Sequence, residues 1–127
     1  MMNHITVKPF HVIIAGTRTF NNYPLLTQWC DHLLQFYDSS QVVIISGGAR
    51  GADKLGERYA KDRGMGLIVK PALWDRYGKS AGYIRNKQMA EIADALILFW
   101  DGKSRGSMHM RDLAVENNIK YIQEIKY

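Results

Sequence analysis

The residues best suited to chemistry in this chain lie in short glycine-containing stretches that follow apolar runs. The longest is residues 46–53 (SGGARGAD), which comes directly after residues 42–45 (VVII) and before a segment with apolar residues at helical spacing. This order predicts a strand, a glycine-rich turn and a helix. Glycines let a ligand approach the backbone, and a helix start presents free N–H groups and the positive end of its dipole. The stretch therefore predicts a phosphate site formed by Ser46, Gly47, Gly48, Arg50, Gly51 and Asp53.

Arg50 is the residue that distinguishes a phosphate site from an ordinary tight turn. A cation beside a helix N-terminus is unfavourable unless an anion binds between them, so its position favours a bound phosphate. The alternative is that the glycines only allow the chain to turn from strand to helix. The stretch taken alone leaves both explanations open.

The apolar run at residues 10–15 (FHVIIA) ends in a similar junction, formed by Gly16, Thr17 and Arg18. A glycine, a hydroxyl and a guanidinium together suit the recognition of phosphate or carboxylate. For Arg18, a solvated charge on a loop is the alternative.

A third junction follows the apolar run at residues 95–100 (ALILFW). Residues 101–107 (DGKSRGS) supply a carboxylate, two glycines, hydroxyls and basic groups. A helix is expected from about Ser107 to Asn117, and its first turn can take up a phosphate while Ser107 caps it. The junction adds Asp101, Ser104, Gly106 and Ser107 to the candidate binding residues.

Aromatic and basic residues between the third and fourth predicted strands form a further candidate contact. Residues 72–81 are expected to be irregular and contain Trp74, which can clamp a base by stacking. A structural tryptophan in a surface loop is the alternative. Arg85 and Asn86 then belong to the first turn of the next predicted helix, where a cation favours a bound anion unless an acidic residue of the same helix pairs with it.

Strands and helices alternate about five times along the chain, which predicts how these junctions are arranged. The pattern predicts an α/β fold, a single three-layer domain with a mainly parallel five-stranded sheet. Ligands of such sheets bind at the carboxyl ends of the strands, so one pocket can collect all the junctions. The domain is expected to span residues 1–127, with residues 1–9 as a loose lead-in. The first helix is expected to bury Leu25, Leu26, Trp29, Leu33 and Phe36.

The composition limits the classes of protein to which this chain can belong. Among its 127 residues, 17 Lys and Arg stand against 12 Asp and Glu, and this net charge of +5 favours anionic partners. The single cysteine, Cys30, cannot form an internal disulfide, which fits a reducing cytoplasm. We expect no membrane span, because no apolar run approaches the roughly twenty residues that a span requires. We expect no metal site, because His and Cys do not cluster at the spacing of metal ligands, and we expect no cofactor.

In this order the junctions resemble those of the SLOG superfamily of Rossmann-like domains, and most closely its small YspA-like, YpsA-related members. The same order also resembles the Rossmann-like core of the DNA-processing protein A family. The resemblance implies a pocket for a nucleotide or nucleotide-derived ligand, such as an NAD- or ADP-ribose-like molecule, and a homo-oligomer. It is carried by Gly16-Thr17-Arg18, residues 46–53, Arg85-Asn86 with Met89, Ala93-Asp94, and residues 104–107.

The superfamily also contains the Lonely Guy phosphoribohydrolases, which hydrolyse the N-glycosidic bond of a nucleoside monophosphate. Their later glycine loop carries a glutamate shortly after a Gly-Thr pair, whereas here residues 108–110 (MHM) follow residues 106–107 (GS), so this acid is missing. Glycosidic cleavage needs a carboxylate. Asp101 or Asp53 can substitute, with His109 as a proton carrier, and we take Asp101 and His109 as the candidate catalytic residues.

Three functions therefore compete. Binding or sensing of a nucleotide-derived ligand is the leading one, and hydrolysis of a nucleotide N-glycosidic bond is the enzymatic alternative. Binding of single-stranded nucleic acid is the third, and the residues that favour it, besides the net charge, are Trp74, Arg76, Tyr77 and Lys79.

Overall fold

The computed structural model describes residues 8–127, and in this range strands and helices alternate as the sequence predicts. The strands are β1 (Phe10–Gly16), β2 (Val42–Ser46), β3 (Gly66–Val69), β4 (Ala95–Trp100) and β5 (Tyr121–Lys126). The helices are α1 (Tyr23–Leu33), α2 (Ala52–Arg63), α3 (Trp74–Tyr77), α4 (Ala81–Ile92) and α5 (Arg105–Glu116), and a 3-10 turn at Gly78–Ser80 joins α3 to α4. Residues 1–7 of the expected lead-in lie outside the described residues.

The strands described in residues 8–127 form one sheet in the order β3-β2-β1-β4-β5, and every neighbouring pair is parallel. In the central strand, Val12 pairs with Ile44 of β2 on one side and with Ala95 of β4 on the other. The chain leaves β1 toward β2 and later crosses to β4, so the strand order reverses between β1 and β4. In parallel sheets this reversal opens a crevice at the carboxyl ends of the strands.

Helices cover both faces of the sheet, which gives the predicted three layers. Successive strand residues point to opposite faces. Val12 of β1 packs with Leu26 of α1 and Tyr59 of α2, whereas its neighbour Ile13 packs on the face that holds Met89 of α4. All six residues of β4 are buried, because a strand covered on both faces exposes neither set of side chains. The α/β fold class is therefore confirmed, with a sheet that is parallel throughout the described residues.

Two local expectations are wrong. Helix α1 ends at Leu33, so the helical spacing no longer sets the direction of Phe36, whose side chain is 90% exposed instead of buried in the core. The segment at residues 72–81 is not irregular. The carbonyl of Leu73 accepts hydrogen bonds from the backbone N–H groups of Arg76 and Tyr77 at 3.0 and 2.9 Å, and these bonds wind the chain into α3.

Within residues 8–127, none of the helices has the length and apolar character that crossing a membrane requires. Cys30, a residue of α1, is buried in the core, and this burial raises the pKa of its thiol. A buried thiol with a raised pKa is a packing residue, because nucleophilic chemistry requires the exposed thiolate.

Candidate functional site

The carboxyl ends of β1 and β4 border a cavity of about 400 Å³, here called the inner cavity. Its position is the one that the reversal of strand order predicts for a ligand. Its walls also contain Met89, which belongs to the resemblance found in the sequence, and Ala15, Thr19 and Met110, whose types carried no functional signal there. The sequence-predicted residues on its walls are Gly16, Thr17, Arg18, Asp53, Arg85, Asn86, Asp101, Ser104, Gly106 and Ser107.

A second depression of about 570 Å³, here called the outer cavity, adjoins the inner one across the glycine loop. Arg18, Ala49 and Arg85 line both cavities, so the two cavities are adjacent at these residues. Trp74 lies in the outer cavity with 51% of its surface exposed, so its ring is available for stacking. The other sequence-predicted residues on the outer walls are Gly47, Gly48 and Arg50.

Two glycines of the loop are required by close contacts within the protein. Gly51 has a φ of +78°, and a Cβ at this position would collide with the carbonyl oxygens of Thr17 and Arg18. A Cβ on Gly47 would lie 2.7 Å from Nη1 of Arg85 and 2.8 Å from Oδ2 of Asp53. These glycines therefore let the loop approach the neighbouring junction and Arg85 closely.

The side chains of Ser46 and Asp53 hold the glycine loop in shape by accepting hydrogen bonds from its backbone N–H groups. The Ser46 hydroxyl donates to Oε2 of Glu57 at 2.7 Å and accepts from the N–H of Gly48 at 3.0 Å. Oδ2 of Asp53 accepts from the N–H of Ala49 at 3.2 Å. Asp53 is only 6% exposed, and burial raises its pKa from 3.8 to about 6 although Arg85 and the Ala49 N–H oppose the rise. A carboxyl that titrates near neutrality thus lines the inner cavity.

Arg85 extends from α4 to the glycine loop and lines both cavities. Its Nη1 donates to the carbonyl of Gly47, and its Nε donates to Oδ1 of Asn86 at 2.8 Å. Helix α4 begins at Ala81, so Arg85 lies in the second turn and the expectation of a first-turn position is wrong. Burial lowers the pKa of Arg85, which means that the surrounding protein disfavours its positive charge.

The loop between β4 and α5 is held by Asp101. Oδ1 of Asp101 accepts from the N–H groups of Lys103 and Ser104 at 2.8 and 2.9 Å, and these bonds hold the pKa of its carboxyl below the usual range. The Asp101 N–H donates to Oγ1 of Thr17 at 3.1 Å, which joins this loop to the first junction. Asp101 is therefore an ionised carboxylate, which suits it to the role of a base more than to that of an acid.

Helix α5 is capped by Ser104, whose Oγ accepts from the N–H of Ser107 at 3.3 Å. The expectation that Ser107 caps this helix is wrong, because the helix begins two residues earlier, at Arg105. The Ser107 hydroxyl is buried on the wall of the inner cavity and has no hydrogen-bond partner among residues 8–127. Such a group is available to a ligand, since buried polar atoms are otherwise paired in folded proteins.

His109 lies behind the inner cavity and contributes to the wall of neither cavity. Its Nδ1 is 3.2 Å from Nδ2 of Asn86, and its ring stacks on Tyr83 with 3.9 Å between the centroids. Asn86, which is 7% exposed, thus separates His109 from the ligand space. Over residues 8–127, no group of three or more His, Cys, Asp or Glu side chains is arranged to hold a metal ion.

Known proteins are similar to this chain in sequence and in fold. The Gene 61 protein of Mycobacterium phage D29 is 35% identical over 105 residues, which cover 77% of this chain and 82% of that protein. The X-ray structure of DNA processing protein A (DprA) from Streptococcus pneumoniae superposes with a TM-score of 0.69 over 90% of this chain at 19% identity. The matched region is 49% of that structure, so this chain spans about half its length, and the likeness concerns the fold alone.

A family model described as the YspA, cpYpsA-related SLOG family matches residues 10–77. The matched region contains the first two junctions and Trp74, whereas Arg85, Asn86 and the loop between β4 and α5 lie beyond it. The match covers more than half of the chain, and the chain therefore belongs to the YspA, cpYpsA-related SLOG family.

Proposed function

We propose that this chain binds a nucleotide or nucleotide-derived ligand whose phosphates lie among Arg18, Arg50 and Arg85. The observation that carries this proposal is that these guanidinium groups, from separate loops and a helix, line two adjacent cavities at the reversal of strand order, with Arg18 and Arg85 on the walls of both. Asp53 and Ser107, which lie at the starts of α2 and α5, line the inner cavity. Guanidinium groups and helix N-termini both favour bound phosphate.

The inner cavity suits the uncharged part of such a ligand. Ala15, Met89 and Met110 make one part of its wall apolar, and the Asn86 amide and the unpartnered Ser107 hydroxyl supply polar contacts beside the charged residues of the same wall. Its volume of about 400 Å³ falls in the range of small-molecule pockets. Trp74 in the outer cavity adds a stacking surface, which supports a ligand with a second ring, such as an NAD- or ADP-ribose-like molecule.

Single-stranded nucleic acid is the second candidate ligand. The half-exposed Trp74 and the exposed Arg50 line the outer cavity together, and aromatic stacking beside a cation binds bases without regard to sequence. The net charge of +5 supports the same proposal, which predicts affinity that falls steeply with salt.

Hydrolysis of an N-glycosidic bond is supported by Asp53. This carboxyl lines the inner cavity and titrates near pH 6, so it can exchange a proton at neutral pH. Asp101 is exposed and its carboxylate accepts two backbone N–H groups. If the chain turns over a nucleotide, Asp53→Asn should abolish product formation while a nucleotide still binds, and Asp101→Asn tests the sequence-predicted alternative.

The deciding experiment is a thermal-shift and calorimetry screen against AMP, ADP-ribose, NAD, cyclic nucleotides and a short single-stranded oligonucleotide. A bound ligand raises the melting temperature by mass action. Mass analysis of the recovered ligand then separates binding from cleavage, because hydrolysis returns a free base and a sugar phosphate. If none of these compounds binds, the proposed function is wrong.

Arg50→Ala and Lys61→Ala form the matched pair for this screen. Both residues are exposed and each substitution removes one positive charge, but Lys61 lies near the far end of α2. Loss of a hydrogen bond to a charged group should weaken binding about tenfold in Arg50→Ala. Equal affinities in the two variants would contradict the proposal. The homo-oligomer and the cytoplasmic location stay predictions, and light scattering measures the first.

A further inference from the structure

We propose that His109 is a positioning residue for the phosphate site, which holds Arg85 in place through Asn86 and releases it when the imidazole is protonated. This inference rests on the proposed function, because Arg85 is one of the groups assigned to phosphate. His109 itself touches no ligand space, so its effect passes through the amide that lies between them.

The hydrogen bonds fix the orientation of the amide. Nε of Arg85 can only donate, so the atom of Asn86 that faces it at 2.8 Å is the acceptor Oδ1. The Nδ2 group of Asn86 therefore faces Nδ1 of His109 at 3.2 Å, and this ring nitrogen must offer its lone pair. The proton of the neutral imidazole then lies on Nε2, which is buried without a hydrogen-bond partner in the described residues.

Packing keeps this arrangement in one state. Asn86 is 7% exposed, and the His109 ring is stacked on Tyr83 at an interplanar angle of 26°. Arg85 is also tied to the Gly47 carbonyl, so the chain of contacts runs from α5 through α4 to the glycine loop. The contacts that join His109, Asn86, Arg85 and Gly47 are all made, and a buried polar network of this kind loses its fixed geometry when one of these joining contacts is broken.

Protonation of His109 breaks the chain of donors and acceptors. An imidazolium carries a proton on Nδ1, which would face the protons of the Asn86 amide. Either this contact opens or the amide turns over and directs its NH₂ group at Nε of Arg85. In both cases Asn86 no longer fixes Arg85, and the guanidinium loses the orientation that the phosphate requires.

The groups around His109 determine where this transition falls. From α4 the ring meets Tyr83 and Asn86, and from its own helix the charges of Asp112 and Glu116 favour the protonated form. Burial outweighs these charges and lowers the pKa of His109. The imidazole is therefore neutral at neutral pH and becomes protonated at a lower pH than an ordinary histidine.

The sign of the expected pH dependence separates this proposal from simple electrostatics. Protonation of His109 adds a positive charge, and protonation of Asp53 removes a negative one, so both would strengthen anion binding as the pH falls. The positioning role predicts the opposite. Affinity for ADP-ribose, whose diphosphate keeps its charge under these conditions, should fall about tenfold as the pH is lowered from about 8 through the titration of His109.

The test uses His109→Asn and His109→Ala beside the unsubstituted chain. The Asn side chain places an oxygen where Nδ1 lies and does not titrate, so His109→Asn should bind ADP-ribose with an affinity that does not fall on acidification. His109→Ala removes the acceptor and should bind about tenfold more weakly at every pH. Affinity that rises on acidification in the unsubstituted chain, or an unchanged fall in His109→Asn, overturns the proposal.

A ligand-free measurement keeps the inference separate from the proposed function. In NMR titrations of the unsubstituted chain, His109 should be the Nε2–H tautomer at high pH, and the Nε–H signal of Arg85 should shift with the titration of His109. In His109→Asn this Arg85 signal should not follow the same curve. An Arg85 signal that does not change with the titration of His109 overturns the inference. Failure of every nucleotide to bind at about pH 8 contradicts the proposed function instead.

Discussion

Two arginines of this protein show how a structural cation differs from a candidate binding cation. Arg63, near the end of α2, donates from Nε and Nη2 to the two carboxylate oxygens of Asp31 at 3.0 and 2.8 Å. Arg85 is more deeply placed, and its hydrogen-bond partners are the Gly47 carbonyl and the Asn86 amide, which carry no charge. The carboxylate pairing raises the pKa of Arg63, whereas burial lowers that of Arg85.

The difference lies in how completely the protein neutralises each charge. Asp31 matches Arg63 with a bidentate pair and also accepts from the Tyr59 hydroxyl at 2.8 Å, so this cluster fastens α1 to α2 and needs no further anion. Around Arg85 the charge of Asp53 is favourable and that of Arg18 is unfavourable. A bound phosphate would supply the missing negative charge, which is the physical basis of the proposed site.

The largest effect on nucleotide affinity is expected when each arginine is removed in turn. Arg85→Ala should lower nucleotide affinity about 100-fold, or about 3 kcal/mol, because a charged hydrogen-bond donor at the phosphate is lost. Arg63→Ala should leave the affinity unchanged. Isothermal titration measures both. Because Arg85 also holds Gly47, the exposed Arg18→Ala serves as a second variant that does not disturb the loop. Equal affinities in all these variants would contradict the site.

The second prediction concerns Asp53, the carboxyl beside Arg85. Because burial raises its pKa from 3.8 to about 6, the folded protein holds this proton more tightly than the unfolded chain. Its contribution to stability is therefore fully present below pH 3.8 and is lost as the pH rises through about 6. Relative to Asp53→Asn, the unsubstituted chain should lose about 3 kcal/mol of unfolding free energy across this interval. Urea unfolding at several pH values measures the difference, and parallel pH curves for the two chains would contradict it.

The sequence could predict the fold because its signals are local. The apolar runs at residues 10–15, 42–45 and 95–100 and the glycines that follow them lie within single strand-to-helix units, and parallel sheets bring such junctions to one edge. The candidate residues on the inner cavity were predictable for the same reason. Phe36 was not, because its exposure depends on where α1 ends rather than on helical spacing.

The contacts inside the site could not be predicted, because they join residues that are distant in sequence. Arg85 reaches the carbonyl of Gly47, 38 residues earlier, and Asn86 meets His109, 23 residues later. No local pattern contains these pairings. The sequence presents Arg85 as a helix-terminal cation and His109 as a candidate catalytic group, whereas the structure joins them in one network through Asn86.

A smaller effect is expected where the charge is already matched. Asp31→Ala removes the partner of Arg63, but both side chains are more than a third exposed, so solvent and salt screen the pair. The loss in unfolding free energy should be about 1 kcal/mol and should shrink in high salt. Thermal unfolding at two salt concentrations measures it, with Arg63→Ala as the matched partner. A change in nucleotide affinity in Asp31→Ala would contradict a purely structural role for the pair of Asp31 and Arg63.

The smallest effect on stability is expected at Ser107, where a substitution tests whether a ligand contacts the start of α5. The Ser107 hydroxyl is buried without a partner in residues 8–127, so Ser107→Ala removes a group whose burial is uncompensated. The unfolding free energy should therefore stay within about 0.5 kcal/mol of the original or rise slightly. If a ligand satisfies this hydroxyl, affinity should still fall a few-fold, since one hydrogen bond contributes about 1 kcal/mol. Calorimetry on both chains with the same nucleotide distinguishes these outcomes, and unchanged affinity would place the ligand away from the α5 start.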